Sequence, residues 1–555
     1  MWHRNGVCGM GFVGMGAPVG DETPRRVSAP RGMTRRELLR ALGIGAPGIV
    51  LLNGCAPEPS PEHPLPVHDQ PDPAPFLDGV MAGDPQPDGT IIWTRVAAAA
   101  DAEPVGVIWS VATDPEFATI VAGGTEVATA ERGHTVKVRV TDLASDRWYW
   151  YRFEALGVAS RTGRLRTAPA LDAQPDRLRF AFGSCQQLND SWFVAHRAAT
   201  EEPNLDFFLH LGDFVYADDR ASQTLGDYRN LYRRWRREPL LRDFNAKLPM
   251  VAMWDDGEFY NGVDRLGPPA RLTPASRAWF ESMPVAEIGG RAWRTMSWGA
   301  LADLPVIDVR SQRDPAIAEA DRTKAPGSDA YLESRSQLGA EQALWLRERL
   351  LSSAARWRIV GSGVPVNPWR LVNLEFLRLF QSDLPPNAGL YASADGWDDY
   401  VAERTGLLRS LAAEGVHDTV FATAHTHIAM ASDLRVDPDA GGPIVGHDLV
   451  APSMTADPDV VSAYLGDLPR DAARSLLRIA EGWVLNQNPG MRHLNLEDQG
   501  YVVMDVTPDE IVAEYRMIDT FDPNAEAYTA ARFRIVPGGT RMEVLRPTHA
   551  RGSFR

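Results

Sequence analysis

Cysteine is scarce in this chain: Cys8, Cys55 and Cys185 are the only three in 555 residues, too few for a disulfide framework. Long apolar runs are missing too. A helix that spans and stays in a bilayer needs about 20 consecutive apolar residues, so the chain does not read as an integral membrane protein. Positive charge is in short supply, with 57 lysines and arginines against 73 acids and a formal net charge of −16. That balance argues against a nucleic-acid scaffold working by neutralising phosphates along a groove. An anionic ligand would have to be drawn by local charge, and bound cations dominate the field in their own pocket whatever the net charge outside. What is present is a globular composition, 44% hydrophobic and 23% charged, in a chain long enough to call for at least two folded units.

The first segment, 1–55, reads as an address. From Met33 it runs MTRRELLRALGIGAPGIVLLNGC, with Arg35 and Arg36 paired ahead of a weakly hydrophobic stretch that ends at Cys55. This is the pattern of a twin-arginine leader. An amphipathic helix is the plainer alternative, but Gly43, Gly45, Pro47 and Gly48 would break it. Residues before Met33 lack leader character, which makes Met33 a candidate initiator. Leu52-Asn53-Gly54-Cys55 resembles a lipoprotein box, although Asn53 is unusual there, and gives the expectation of a lipid anchor at Cys55. Export through the twin-arginine machinery to a periplasm or cell envelope follows. Residues 56–75 are proline-rich and read as an extended, solvated tether.

Residues 76–169 carry short alternating runs, GTIIWTRV, GVIWSVATD, HTVKVRVTDL and RWYWYRFEAL, separated by Gly, Asp and Pro. The expectation is a small β-sandwich, and Leu143 followed by Tyr149 and Tyr151 resembles the tyrosine corner of fibronectin type III-like domains. Asp84, before Pro85, reads as a turn former. From 177 to 540 apolar strands alternate with helical stretches, as in an α/β layered fold, and 541–555 is a tail.

The strand ends of that second region carry the information. LRFAFGSC stops at Cys185, DFFLHLGD at Asp213, KLPMVAMWDD near Asp255 and DTVFATAHTH at His427. Loops along one edge of a rigid sheet are where catalytic groups usually converge. Singly, each has a plainer explanation: a lone cysteine is a small buried hydrophobe, Asp213 after Gly212 and Asn261 before Gly262 are turn positions, and His425 with His427 is a strand edge. Their joint order is harder to explain that way.

A thiol after a first strand, then GD, an asparagine after an acidic loop, and HxH near the end is the plan of calcineurin-like metallophosphoesterases. The chain resembles the PhoD-type alkaline phosphatase branch most closely. The markers are SCQ at Ser184–Gln186, GDFVY at Gly212–Tyr216, WDDGEFYN at Trp254–Asn261, DVRSQR at Asp308–Arg313 and DGWDDY at Asp395–Tyr400. NPGMRHL at Asn488–Leu494, GYVVMDVTPDEI at Gly500–Ile511 and, in the first domain, GVMAGDP at Gly79–Pro85 with IWTR at Ile92–Arg95 complete the set. The resemblance implies a metallophosphoesterase-type layered α/β sandwich preceded by the small β-sandwich.

It also implies two metal ions. Asp213 bridges them; Cys185 as thiolate, Tyr216 as phenolate and His427 complete the shell of the first, where family members carry iron. Asn261 and His425 join Asp213 at the second. The family usually reads GDVH at the last motif, whereas this chain reads Ala424-His425-Thr426-His427. Imidazole is a poor calcium ligand and a good one for iron, zinc or manganese, so a transition metal is expected in place of calcium. Gly257 stands where the family usually has histidine, and losing that side chain would open the pocket or remove an outer donor.

The implied reaction is hydrolysis of a phosphate monoester by metal-bound hydroxide, with Asp213, Asn261, His425 and an arginine, Arg277 or Arg271, about the phosphate. No protein nucleophile is required, and Ser184 beside Cys185 lacks a nucleophile elbow. Asp395 and Trp397 read as a turn aspartate and a packed tryptophan. The competing functions are a phosphodiesterase or phospholipase D-like enzyme of the same fold, and an envelope binding lipoprotein with an inactive site, against which the intact Cys185, Asp213, Asn261 and both histidines count.

Overall fold

The computed structural model describes residues 72–98, 102–217, 221–317, 334–380, 389–391, 396–458 and 470–546. Residues 1–55, where a leader and an anchor at Cys55 are expected, most of the expected tether, Asp395 and the end of the tail lie outside them. Among the described residues no helix is long and apolar enough to cross a membrane.

Two β-sheets form the centre. The strands Leu178–Gly183, Phe207–His210 and Met250–Ala252 lie side by side in parallel, and are almost wholly buried because both faces are covered. The second sheet places Ala302–Ile307, Trp357–Ser362, Thr419–Thr423 and Gly446–Val450 in parallel succession. Alternation along these strands sets the layers: Ile359 and Val420 face the first sheet, whereas Val360 and Phe421 meet Leu346, Leu350, Leu408 and Leu411 of the outer helices Gly339–Ser352 and Val401–Ala413. Helices Val194–Glu201 and Pro239–Lys247 pack together over the first sheet. The result is a mixed α/β fold with two sheets packed between helices.

The N-terminal strands form a β-sandwich. Ile120–Ala128, Val105–Ala112 and Trp148–Ala155 form one of its layers, and Val80–Gln86, Gly89–Arg95 and Thr135–Val140 the other. Tyr149 makes the corner: its hydroxyl accepts from Ala144 N at 3.0 Å and donates to Ala144 O at 3.2 Å.

The inner layer of that sandwich does not stop at its own boundary. Val80–Gln86 pairs with Met250–Ala252 through Gly83 and Met250, so the two regions share one sheet of ten strands. Val80, Ala82 and Ile92 face the sandwich core, and Met81 and Trp93 face the larger region. Gly83 is needed at the junction, since a Cβ there would lie 2.4 Å from Pro284 O and 2.5 Å from Met250 O. Asp84 serves as more than a turn former. It is buried at a register shift in its strand and binds Arg294, with Nη2 to Oδ1 at 2.5 Å and Nε to Oδ2 at 2.9 Å, while Ala286 N donates to it at 2.8 Å.

Candidate metal centre

Polar side chains gather where the parallel strands of both sheets end. Cys185 follows Leu178–Gly183, Asp213 follows Phe207–His210, Asp255 and Asp256 follow Met250–Ala252, Arg310 follows Ala302–Ile307, and His425 and His427 follow Thr419–Thr423. The chain turns abruptly at each. Cys185, Asp213, His425 and His427 have φ of 59°, 55°, 76° and 56°, a left-handed backbone that non-glycine residues seldom adopt and that costs on the order of 1–3 kcal/mol each. Such strain persists only where the surroundings over-determine it.

Those surroundings are hydrogen-bonded loops. Cys185 N donates to Gly212 O at 3.3 Å, Gln186 N to Asp213 O at 3.1 Å and Gln186 Nε2 to Phe214 O at 3.0 Å. The Glu258 carboxylate accepts from Asp213 N at 3.0 Å, Phe214 N at 2.7 Å and Asp255 N at 2.8 Å. Burial and the neighbouring Asp213 raise its pKa well above the usual range. Gly257 answers the question its substitution raised. Its N–H donates to Asp213 Oδ1 at 2.8 Å, and a Cβ there would lie 2.6 Å from that oxygen and 2.7 Å from Val215 O. The backbone supplies a donor and leaves no room for a side chain in this conformation.

Two donor sets share Asp213. In one, ligand atoms of Cys185, Asp213 and His427 all lie within 4.8 Å of one another. Asp213 Oδ2 is 3.3 Å from Cys185 Sγ and 3.4 Å from Tyr216 Oη, which is itself 3.3 Å from His427 Nε2. Spacings of roughly 3.0–3.5 Å are the edges of a coordination shell whose bonds are about 2.0–2.3 Å. His427 Nδ1 lies 3.1 Å from Asp457 O, a carbonyl that can only accept, so Nδ1 carries the proton and Nε2 presents its lone pair. The other set joins Asp213, Asp255, Asp256 and His425 within the same 4.8 Å.

The site is electrostatically tense. Burial, with the charges of Asp255 and Asp256, lifts the Asp213 pKa to about 7. Burial and Asp213 push the Cys185 thiol and the Tyr216 phenol well up. Burial also works to raise Asp255, but the Arg310 and His425 charges outweigh it and hold that carboxyl well below its ordinary range. Burial and Arg310 act to lower His425, and Asp255 and Asp256 overcome them, to about 9. A thiol and a phenol held protonated by burial, beside clustered buried carboxylates that repel one another, are relieved by cations. The donors fit two.

The structure brings five of the sequence candidates together: Cys185, Asp213, Tyr216, His425 and His427. Asn261 is exposed in a turn, and Asp255 and Asp256 occupy the acidic-loop place in the cluster. Arg277 binds Glu281 at 2.8 Å and Glu131 O at 2.7 Å with its side chain 44% exposed. Arg271 lies over the Tyr260 ring, 4.4 Å from its centroid. Trp397 is buried against the outer helices. Sequence reading assigned no role to Arg310, whose signal was an arginine two residues past an acid at the end of a strand on the same edge.

The fold and the donor cluster at its strand ends are those of a phosphoesterase hydrolase. More particularly, the chain belongs to the PhoD-like phosphatase family, whose model matches residues 180–515, with the family's N-terminal domain matching residues 60–169. It is 29% identical over 520 residues to alkaline phosphatase D of Bacillus subtilis (strain 168), covering 87% of this chain and 84% of that one. A solved structure of PhoD superposes with a TM-score of 0.75 at 28% identity, over 86% of this chain and 93% of the other.

Proposed function

We propose that this phosphoesterase hydrolyses phosphate monoesters with two cations. Cys185, Asp213, Tyr216 and His427 would hold the first, and Asp213, Asp256 and His425 the second. The observation that carries this reading is the pair of donor sets sharing Asp213. When bound, the cations supply Lewis acidity at the phosphate and a hydroxide nucleophile near neutral pH.

The chain's own part is to hold the donors and exchange their protons. Gly257 N–H fixes Asp213 Oδ1, leaving Oδ2 toward Cys185, Tyr216 and His425, whose Nδ1 is 4.0 Å away. Cys185 and Tyr216, held protonated by burial, release their protons on loading. Thiolate and phenolate donors favour iron at the first position. At the second, imidazole among carboxylates favours iron, zinc or manganese over calcium. Metal analysis finding stoichiometric calcium in active protein would overturn that preference.

The function is tested by hydrolysis of a chromogenic phosphate monoester and its matching diester, with Asp213→Asn as control. Monoester preference, reduced at least ~100-fold in the variant, supports the proposal; diester preference moves the enzyme to phosphodiesters, and activity untouched by the substitution removes the site. The paired arginines of the leader support export to the envelope, with Cys55 as the anchor point. Replacing Arg35 and Arg36 with lysine is expected to retain the protein in the cytoplasm, and undiminished export would count against that route.

A further inference from the structure

We propose that Arg310 is a positioning residue for the second cation subsite, acting through Asp255 to fix the His425 ring. The inference rests on the two-cation reading above.

Arg310 is fixed before its side chain begins. Asp308, at the end of the strand Ala302–Ile307, accepts through Oδ1 from Arg310 N and Ser311 N, both at 2.9 Å. The guanidinium is fully buried and takes both Asp255 oxygens in a fork: Nε contacts Oδ1, and Nη2 donates to Oδ2 at 2.9 Å. The same Oδ2 lies 2.8 Å from His425 Nδ1. An ionised carboxylate can only accept, so Nδ1 carries a hydrogen and Nε2 is the nitrogen that would present a lone pair to a cation taking the place of its proton.

Nη2 is also 3.0 Å from Nδ1 and 3.2 Å from Nε2. An atom nearly equidistant from both ring nitrogens lies across the ring rather than along either lone pair. Arg310 therefore lies across the imidazole and neutralises Asp255 through the fork, while its Nη1 reaches Asp256 Oδ2 only at 3.7 Å, so that Asp213, His425 and the other oxygen of Asp256 remain to face a cation. A lysine ammonium cannot span both oxygens and the ring at once. A buried ion pair that merely pins the loop would look similar in outline, but it would not select between the two donor sets.

Cobalt(II) titration separates them, because only the Cys185 subsite gives thiolate-to-cobalt absorption in the near ultraviolet. R310M is expected to weaken the class without that absorption about 10- to 100-fold, the range usual for partners behind a ligand, and to leave the thiolate class unchanged. R310K, which keeps the charge and loses the fork, is expected to weaken the same class. Unchanged affinity of that class in both variants overturns the assignment. So does parallel weakening of both classes, or loss of folding by circular dichroism in both, either of which makes Arg310 a structural ion pair. Wild-type protein that takes up no cobalt removes the two-cation reading itself.

Discussion

Asp213 is the residue on which the molecule's energetics and chemistry meet. Its pKa rises from the ordinary 3.8 to about 7, so between those values the folded, metal-free protein holds a proton that the unfolded chain has lost, and stability falls as pH rises. His425, raised from 6.5 to about 9, stabilises most below 6.5 and loses that contribution by 9. Chelator-treated protein is therefore expected to lose thermal stability progressively from pH 4 to 9, and Asp213→Asn to flatten the lower half of that curve. Melting temperatures across the range check it; a flat wild-type curve would contradict the assigned strain. Cys185, Asp213 and the two histidines were legible as strand-end residues, because apolar runs announce their own ends. Asp255, Asp256 and Arg310 were less so, because a residue's role there depends on which loops meet in space; Asn261 is exposed in the turn whose next residue, Gly262, donates to Asp256 Oδ2 at 2.7 Å.

The strand-to-loop transitions are the units that place these side chains. Gly212 has φ 103°, and a Cβ there would lie 2.4 Å from Asp255 Cβ, so this glycine lets the Asp213 loop pass against the acidic loop. Gly212→Ala is expected to cost about 1–3 kcal/mol in urea unfolding and to lower activity further than stability alone explains. An unaltered midpoint would mean that the loops can part without penalty. Strands and helices of the larger region were readable from apolar periodicity, and the tyrosine corner from Leu143 and Tyr149. The left-handed backbones at four cluster residues were not, since no local signal requires φ above zero at cysteine, aspartate or histidine.

Across the whole molecule, the N-terminal sandwich and the larger region are joined in one sheet of ten strands, and Asp84 with Arg294 ties them in addition. One cooperative transition is expected in calorimetry. Asp84→Ala, by leaving Arg294 without its partner, is expected to destabilise that single transition by about 3–5 kcal/mol. Two separated transitions in the wild type would show instead that the junction at Gly83 transmits little. Sequence pattern divided the chain into two regions, 76–169 and 177–540, and nothing in the alternating runs signalled that their sheets continue into each other, because strand pairing across such a distance is written in backbone geometry and the small volume of Gly83.

That continuity bears on solubility. Without Val80–Gln86 alongside, the apolar strand Met250–Ala252 would present an open row of backbone donors and acceptors, the template on which chains aggregate. As built, the sheet ends on that side at Thr135–Val140, which carries Lys137 and Arg139. The small domain thus moves the edge away from the chemistry and onto a strand that is itself largely covered, with Lys137 donating to Phe280 O and Val285 O and only Arg139 exposed.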